Sequence, residues 1–280
     1  MTDRLDSSPV LKEVLGGSLE KLQMFHDMLE KEGEIRGLIS PNDIDIIWER
    51  HILNSAAVVP FILKSAERKK SETEQNNENV SRETSNKKLR IADIGSGGGF
   101  PGIIIAAMIP EAEVYLVEPM ERRTEWLKEV SEKLGLNNVK VCRCRAEDAL
   151  SFLSEDKNIS ANHDLNSSAN SDISNNVNRS GKNRKKSKDV KNNKSQSRPA
   201  TAFDIVTCRA VAPMRKLSGW TLPLLKKGGQ LIALKGKSAE NEIAKAEKEI
   251  KKYGGTDPKA HIAPAGPDLE DTHVVIVTKK

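Results

Sequence analysis

The 280-residue chain has few cysteines, few aromatic residues and no long apolar run. Its three cysteines, Cys142, Cys144 and Cys208, are too few and too badly spaced for a disulfide framework or a four-ligand zinc site. A reducing, cytoplasmic setting without a metal is expected. No apolar stretch approaches the length that spans a bilayer, and the start, Met1-Thr2-Asp3-Arg4-Leu5, lacks the basic-then-apolar pattern of an export signal. A soluble protein without a membrane partner is expected. With 4% aromatic and 37% hydrophobic residues against 30% charged, the composition is lean for a fully packed globule of this length, so some tracts should stay outside the core.

Two such tracts stand out. Residues 154–199 hold ten Asn, ten Ser and ten Lys or Arg, with hardly a large apolar side chain. They cannot bury enough surface to offset their ordering entropy, and a disordered insertion is predicted. Residues 65–88 contain only Ala66 and Val80 as apolar residues and read as a polar, disordered linker. The longer tract carries ten basic and five acidic residues, a net +5 that equals the charge of the whole chain, so the remainder balances at 35 against 35. Any nucleic-acid contact must therefore come from a local cluster on a neutral body, or from the basic tract acting as an arm.

The remaining sequence falls into two parts. Within 1–64, apolar Leu19, Leu22, Phe25, Met28 and Leu29 recur at helical spacing up to Gly33, and a second helix is predicted from Pro41 through Trp48 and Ile52 toward Pro60. This is a small N-terminal helical cap. Over 89–280 the rhythm changes to short apolar runs, at 89–94, 114–117, 139–142, 203–208, 231–234 and 274–277, alternating with helical patterns. Strand–helix alternation implies an α/β fold with a doubly wound, mostly parallel sheet of six or seven strands, interrupted by the tract at a surface loop before the fourth strand.

The segment Ile91-Ala92-Asp93-Ile94-Gly95-Ser96-Gly97-Gly98-Gly99-Phe100-Pro101-Gly102 reads as a strand, a glycine-rich turn and a helix start. Such a turn lets a ligand approach bare backbone N–H groups. Gly97, Gly99 and Gly102 match the dinucleotide spacing G-x-G-x-x-G, which keeps a nicotinamide-cofactor oxidoreductase under consideration. Asp93, two positions before Gly95, turns the pattern into D-x-G-x-G-x-G, which resembles the class I methyltransferases. Glu118 ends the next strand, where a carboxylate can accept both ribose hydroxyls of an adenosine cofactor, and Glu147 follows the third strand.

Taken together, several blocks resemble one family closely. Arg50-His51-Ile52-Leu53-Asn54-Ser55, the run from Asp93 to Gly102, Glu118 to Arg123, Arg145-Ala146-Glu147, the run from Phe203 to Pro213 and Ala233-Leu234-Lys235-Gly236 occur in the order of the bacterial small-subunit rRNA guanine-N7 methyltransferases, the RsmG or GidB family. The resemblance implies S-adenosylmethionine as cofactor and a guanosine in the decoding-centre loop of 16S rRNA as target. It implies cofactor contacts at Gly95, Phe100, Ala146, Glu147 and Arg209, with Glu118 on the ribose; Asp93, Gly97 and Gly99 are expected to bind the cofactor as well, Asp93 by supporting the loop and the ligand's methionine amino group. Arg123, Arg209 and Lys235 are the candidates for orienting the RNA, and a monomer is expected. Two departures are evident: Asn54 stands where the family usually has Asp, and the tract at 154–199 is absent from compact members.

The chemistry fits that expectation. Guanine N7 carries a lone pair and no proton, so its methylation needs orientation more than a general base. Thr207-Cys208-Arg209-Ala210 lacks the Asn/Asp-Pro-Pro-aromatic pattern of enzymes that methylate base amines. Cys208 as a nucleophile of the cytosine-C5 type lacks the neighbouring cysteine or proline, and reads instead as a buried, apolar-like side chain. His51, His261 and His273 have no acid or nucleophile at triad or metal spacing, and structural or surface roles are assigned to them. Besides the oxidoreductase, a noncatalytic RNA-binding assembly factor remains open, because N7 methylation leaves no acid or base to look for.

Overall fold

The structure, a computed structural model, describes residues 3–75, 88–151 and 203–280. The tract at 154–199 lies outside the described residues. Seven strands form one sheet in the order β3-β2-β1-β4-β5-β7-β6. They are β1 Arg90–Ile94, β2 Glu113–Val117, β3 Val139–Cys142, β4 Phe203–Arg209, β5 Leu225–Lys235, β6 Gly255–Ala263 and β7 Thr272–Lys279. All neighbours run parallel except that β7 is antiparallel to both β5 and β6. The chain leaves β1 toward β2 on one side and returns to β4 on the other, which opens a crevice at the carboxyl ends of β1 and β4.

Six strands match the sequence reading, and β6 is the one the pattern did not locate. Asp257 and Pro258 interrupt its alternation, and the pairing with β7 shifts register between Thr256 and Lys259. Proline is tolerated there because β6 is an edge strand whose outer N–H groups need no sheet partner. The helical pattern at Pro213 to Lys226 forms only a short helix. It gives α7 Met214–Thr221 and a 3₁₀ turn, Leu222–Leu224, before β5 starts at Leu225; Pro223 falls within that turn.

Around the sheet lie α5 Gly102–Met108, α6 Glu121–Lys133 and α8 Ala239–Lys252. The N-terminal region holds α1 Pro9–Leu15, α2 Leu19–Glu32, a 3₁₀ stretch Pro41–Ile46, a π-helical stretch Trp48–Leu53 running into α3 Asn54–Ala56, and α4 Val59–Gln75. Leu22, Phe25, Trp48, Ile52 and Leu53 are fully buried in one cluster with Ile103, Ile104 and Ile105 of α5 and Ile91 of β1. The cap therefore completes the core over one face of the sheet rather than standing as a separate body. On the opposite face, Ala92, Ile94 and Val117 pack with Met214, Leu217 and Ile250. Alternation along β1 puts Asp93 on the same face as Ile91, toward α5.

The linker boundary at 65 is corrected by α4, which continues as helix to Gln75. Ser65 is buried, Arg68 Nη2 donates to the Gly228 carbonyl at 3.2 Å and Lys69 Nζ reaches Asp204 Oδ1 at 3.1 Å. Composition counts such polar residues as unable to drive folding, whereas here they are tied to the β4 and β5 region by charge and hydrogen bonds. Residues 76–87 of the proposed linker lie outside the described residues. No described helix is long and apolar enough to cross a membrane.

Candidate cofactor and substrate site

The glycine turn is held from three directions. Gly95 and Ser96 N–H groups both donate to the Val117 carbonyl, at 2.8 and 3.1 Å, which ties the turn to the end of β2. Trp126 of α6 donates its indole N–H to the Gly98 carbonyl at 3.0 Å. Beneath the turn, the fully buried Asp93 accepts the Gly102 N–H on Oδ2 at 3.0 Å. Burial pushes its carboxyl up to about 7, against the opposing influence of Ser96, the Gly102 N–H and the Arg209 charge. Its Oδ1 is buried without a hydrogen-bond partner among the described residues.

Glu118 closes the other side. Only 3% exposed, it accepts the Gly97 N–H on Oε2 at 2.9 Å and the Met120 N–H on Oε1 at 3.0 Å. Each oxygen keeps a second lone pair, so the carboxylate is oriented yet able to accept from a ligand hydroxyl. Gly97 has φ +54° and a Cβ built on it would meet nothing nearer than 3.8 Å, because it faces open space.

That space is a cavity of about 850 Å³ lined by Gly95, Gly97, Phe100, Glu118, Ala146, Glu147 and Arg209, and also by Arg123. Residues separated by more than a hundred positions in the chain thus meet in one place. Two of the expected cofactor residues do not line it. Asp93 lies below the turn, and Gly99 faces the core, where an added Cβ would come within 2.7 Å of Ile103 Cγ1 and 3.2 Å of Phe25. Leu38 of the cap and Trp220 of α7 line the cavity although no sequence motif marks them.

A second cavity, about 920 Å³, lies alongside between the cap and the ends of β4 and β5. It shares Arg209, Ala210 and Val211 with the first, so this short segment is the wall between the two. Ala210 sits at φ +54°, and Val211 packs where a side chain on Gly95 would stand. The Arg209 guanidinium lies 4.7 Å from the centre of the Phe100 ring. Its Nη1 donates to the Arg50 carbonyl at 2.9 Å, and its Nη2 lies 2.8 Å from His51 Nδ1.

The basic candidates separate into distinct groups. Lys235 lines the second cavity, but its ammonium donates to the Ala212 carbonyl and pairs with Glu242, both at 2.8 Å. It fixes the loop after β4 more than it offers free charge. Two further basic residues near these loops, Arg215 and Lys237, form surface ion pairs with Glu249 and Glu270. Arg123, by contrast, faces the first cavity with no ion pair among the described residues. Cys208 is buried, and burial pushes its thiol up to about 12, so no thiolate is present near neutral pH.

A mixed seven-stranded sheet with its cofactor-sized cavity over the glycine turn at the β1–β4 crevice is the architecture of the Rossmann-like methyltransferases. The family model for GidB, rRNA small subunit methyltransferase G, matches residues 75–161 and 184–266, leaving out a stretch inside the polar tract. A protein of Bifidobacterium adolescentis named ribosomal RNA small subunit methyltransferase G is 48% identical over the whole chain and 97% of its own length. Its namesake from Bifidobacterium longum is 45% identical over the full length of both, and that of Corynebacterium glutamicum 33% identical over 92% of this chain and 85% of its own. The chain belongs to the rRNA small subunit methyltransferase G family.

Proposed function

We propose that the protein transfers a methyl group from S-adenosylmethionine to N7 of a guanosine in 16S rRNA. The decoding-centre loop is the target that the family resemblance implies. One observation carries this reading: the cavity over the glycine turn and the second cavity share the segment Arg209–Val211 as lining. A cofactor in the first and a base in the second would lie side by side at the segment the two cavities share.

The residues present suit such a cofactor. Glu118 has lone pairs for ribose hydroxyls, and Gly97 leaves its side of the cavity open. When bound, S-adenosylmethionine supplies an electrophilic methyl on a sulfonium. What the chain contributes is orientation and exclusion of water, because N7 already carries its lone pair and no proton has to be removed. Arg123 and Arg209 provide charge for the RNA backbone. Glu147, exposed on the cavity rim, is the acceptor for an adenine amino group.

Mass mapping of guanosine modifications in 16S rRNA, from cells with and without the gene, tests the reading. A 7-methylguanosine that disappears with the gene supports it, and an unchanged map rejects it. Calorimetry with S-adenosylhomocysteine and with NAD separates this from an oxidoreductase, and methyl transfer in vitro separates it from a noncatalytic assembly factor. Cys208→Ala is expected to keep methyl transfer within about twofold of wild type, since a buried thiol contributes mainly packing. Loss of turnover in that variant, with folding and cofactor affinity intact, would restore a cysteine nucleophile.

A further inference from the structure

We propose that His51, held by Asp43, is a positioning residue that fixes Arg209 in the wall between the two cavities. The inference rests on the cofactor assignment above and adds a role for the N-terminal cap. Arginine has only N–H donors, so the 2.8 Å contact from Arg209 Nη2 requires a bare lone pair on His51 Nδ1. The ring proton then sits on Nε2, 3.1 Å from Asp43 Oδ2, and Asp43 is itself buried and also paired with Arg50 Nε at 3.1 Å. The imidazole stacks on Phe100 at 4.9 Å between ring centres, and Arg209 covers that same ring. Three contacts therefore determine where the guanidinium lies: the ring face, the Arg50 carbonyl and the His51 nitrogen.

The choice of acceptor matters chemically. Burial and the adjoining Arg209 charge pull the His51 imidazole down to about 4, despite the opposing pull of Asp43, so the ring is neutral at physiological pH. Arg209 itself, drawn down to about 10 by burial, stays protonated. A carboxylate in the place of His51 would cancel the guanidinium charge within an ion pair. A neutral acceptor holds the same geometry and leaves the charge for a ligand in the cavity, and no carboxylate among the described residues forms an ion pair with Arg209.

Two amide substitutions separate this role from mere packing. In His51→Asn the amide oxygen can occupy the place of Nδ1 and accept from Arg209, whereas in His51→Gln the amide reaches the place of Nε2 and leaves Arg209 without that acceptor. Affinity for S-adenosylhomocysteine, read by calorimetry, is expected to fall about tenfold in the Gln variant and to stay within about threefold of wild type in the Asn variant. In an Arg209→Ala background the Gln substitution should cost nothing further, because the two residues act through one contact. Should the Gln variant fail to fold, His51→Phe, which keeps the stacked ring and offers no acceptor, takes its place. Equal losses in the Asn and Gln variants, wild-type affinity in both, or additive losses in the Arg209→Ala background would each overturn the proposal. Failure of the wild-type protein to bind S-adenosylhomocysteine would instead overturn the cofactor assignment on which it rests.

Discussion

Gly97→Val is expected to abolish binding of S-adenosylhomocysteine while the protein continues to unfold cooperatively, and Gly102→Val is expected to do the reverse, lowering stability first. The two glycines lie five positions apart in the same turn, but they face different surroundings. At Gly97 a side chain enters the cavity, close to where a ligand would cross the Glu118-bound amide, and meets no protein atom nearer than 3.8 Å. The strain of a branched residue at φ +54° costs roughly 1–2 kcal/mol, which a domain of ordinary stability survives. At Gly102, an added Cβ collides with the Leu116 side chain and comes within 2.6 Å of Asp93 Oδ2. It displaces the buried carboxylate that accepts the Gly102 N–H, so a loss of about 3 kcal/mol or more is expected, seen as a melting temperature lower by roughly 5–10 °C. Calorimetric titration and thermal melts of both variants decide the matter. Full cofactor affinity in the Gly97 variant would show that the cavity over the turn is not the cofactor site.

A pH-dependent loss of stability centred on Asp93 is the second large effect. In the unfolded chain this carboxyl ionises near 3.8, and in the native protein burial holds it at about 7. Between those values the unfolded state releases a proton that the native state keeps. Stability therefore falls as pH rises through this window, by on the order of 1.4 kcal/mol per unit at its steepest, and levels off above the native value. Asp93→Asn keeps an acceptor for the Gly102 N–H and removes the titration. The stability of wild type relative to that variant should accordingly decline from pH 5 to pH 7 and then flatten, in denaturant titrations at four pH values without cofactor. A difference independent of pH would mean that the carboxyl is ionised in the native state.

Much of the sheet was legible because strands buried on both faces have to be short and apolar, and β1, β2, β4 and β7 answer to that rule. The edge strand β6 did not, since only one of its sides is paired and Asp257-Pro258 is affordable there. The site was legible where backbone geometry itself is encoded: glycines at positive φ with a carboxylate at the strand end have few alternative uses. Gly99 shares that conformation, with φ +110°, but serves packing against Ile103 and Phe25. Its neighbours in space come from α5 and from the cap, which spacing within the turn does not report.

Pattern along the chain was thus enough for the α/β sheet, the glycine turn, the carboxylates at Asp93, Glu118 and Glu147, and the family resemblance, because each is read from short local blocks and from their order, without knowing which blocks touch. Tertiary structure alone decided which basic residues remain free, since Lys235 meets Glu242 and the Ala212 carbonyl only once β5 and the loop after β4 are adjacent. It also decided the role of His51. That residue read as structural when judged by its sequence neighbours, yet its decisive partner, Arg209, lies 158 positions away and reaches it only because the cap folds over the carboxyl end of β4. An imidazole offers a donor and an acceptor whatever its setting, and which groups claim them is settled by packing.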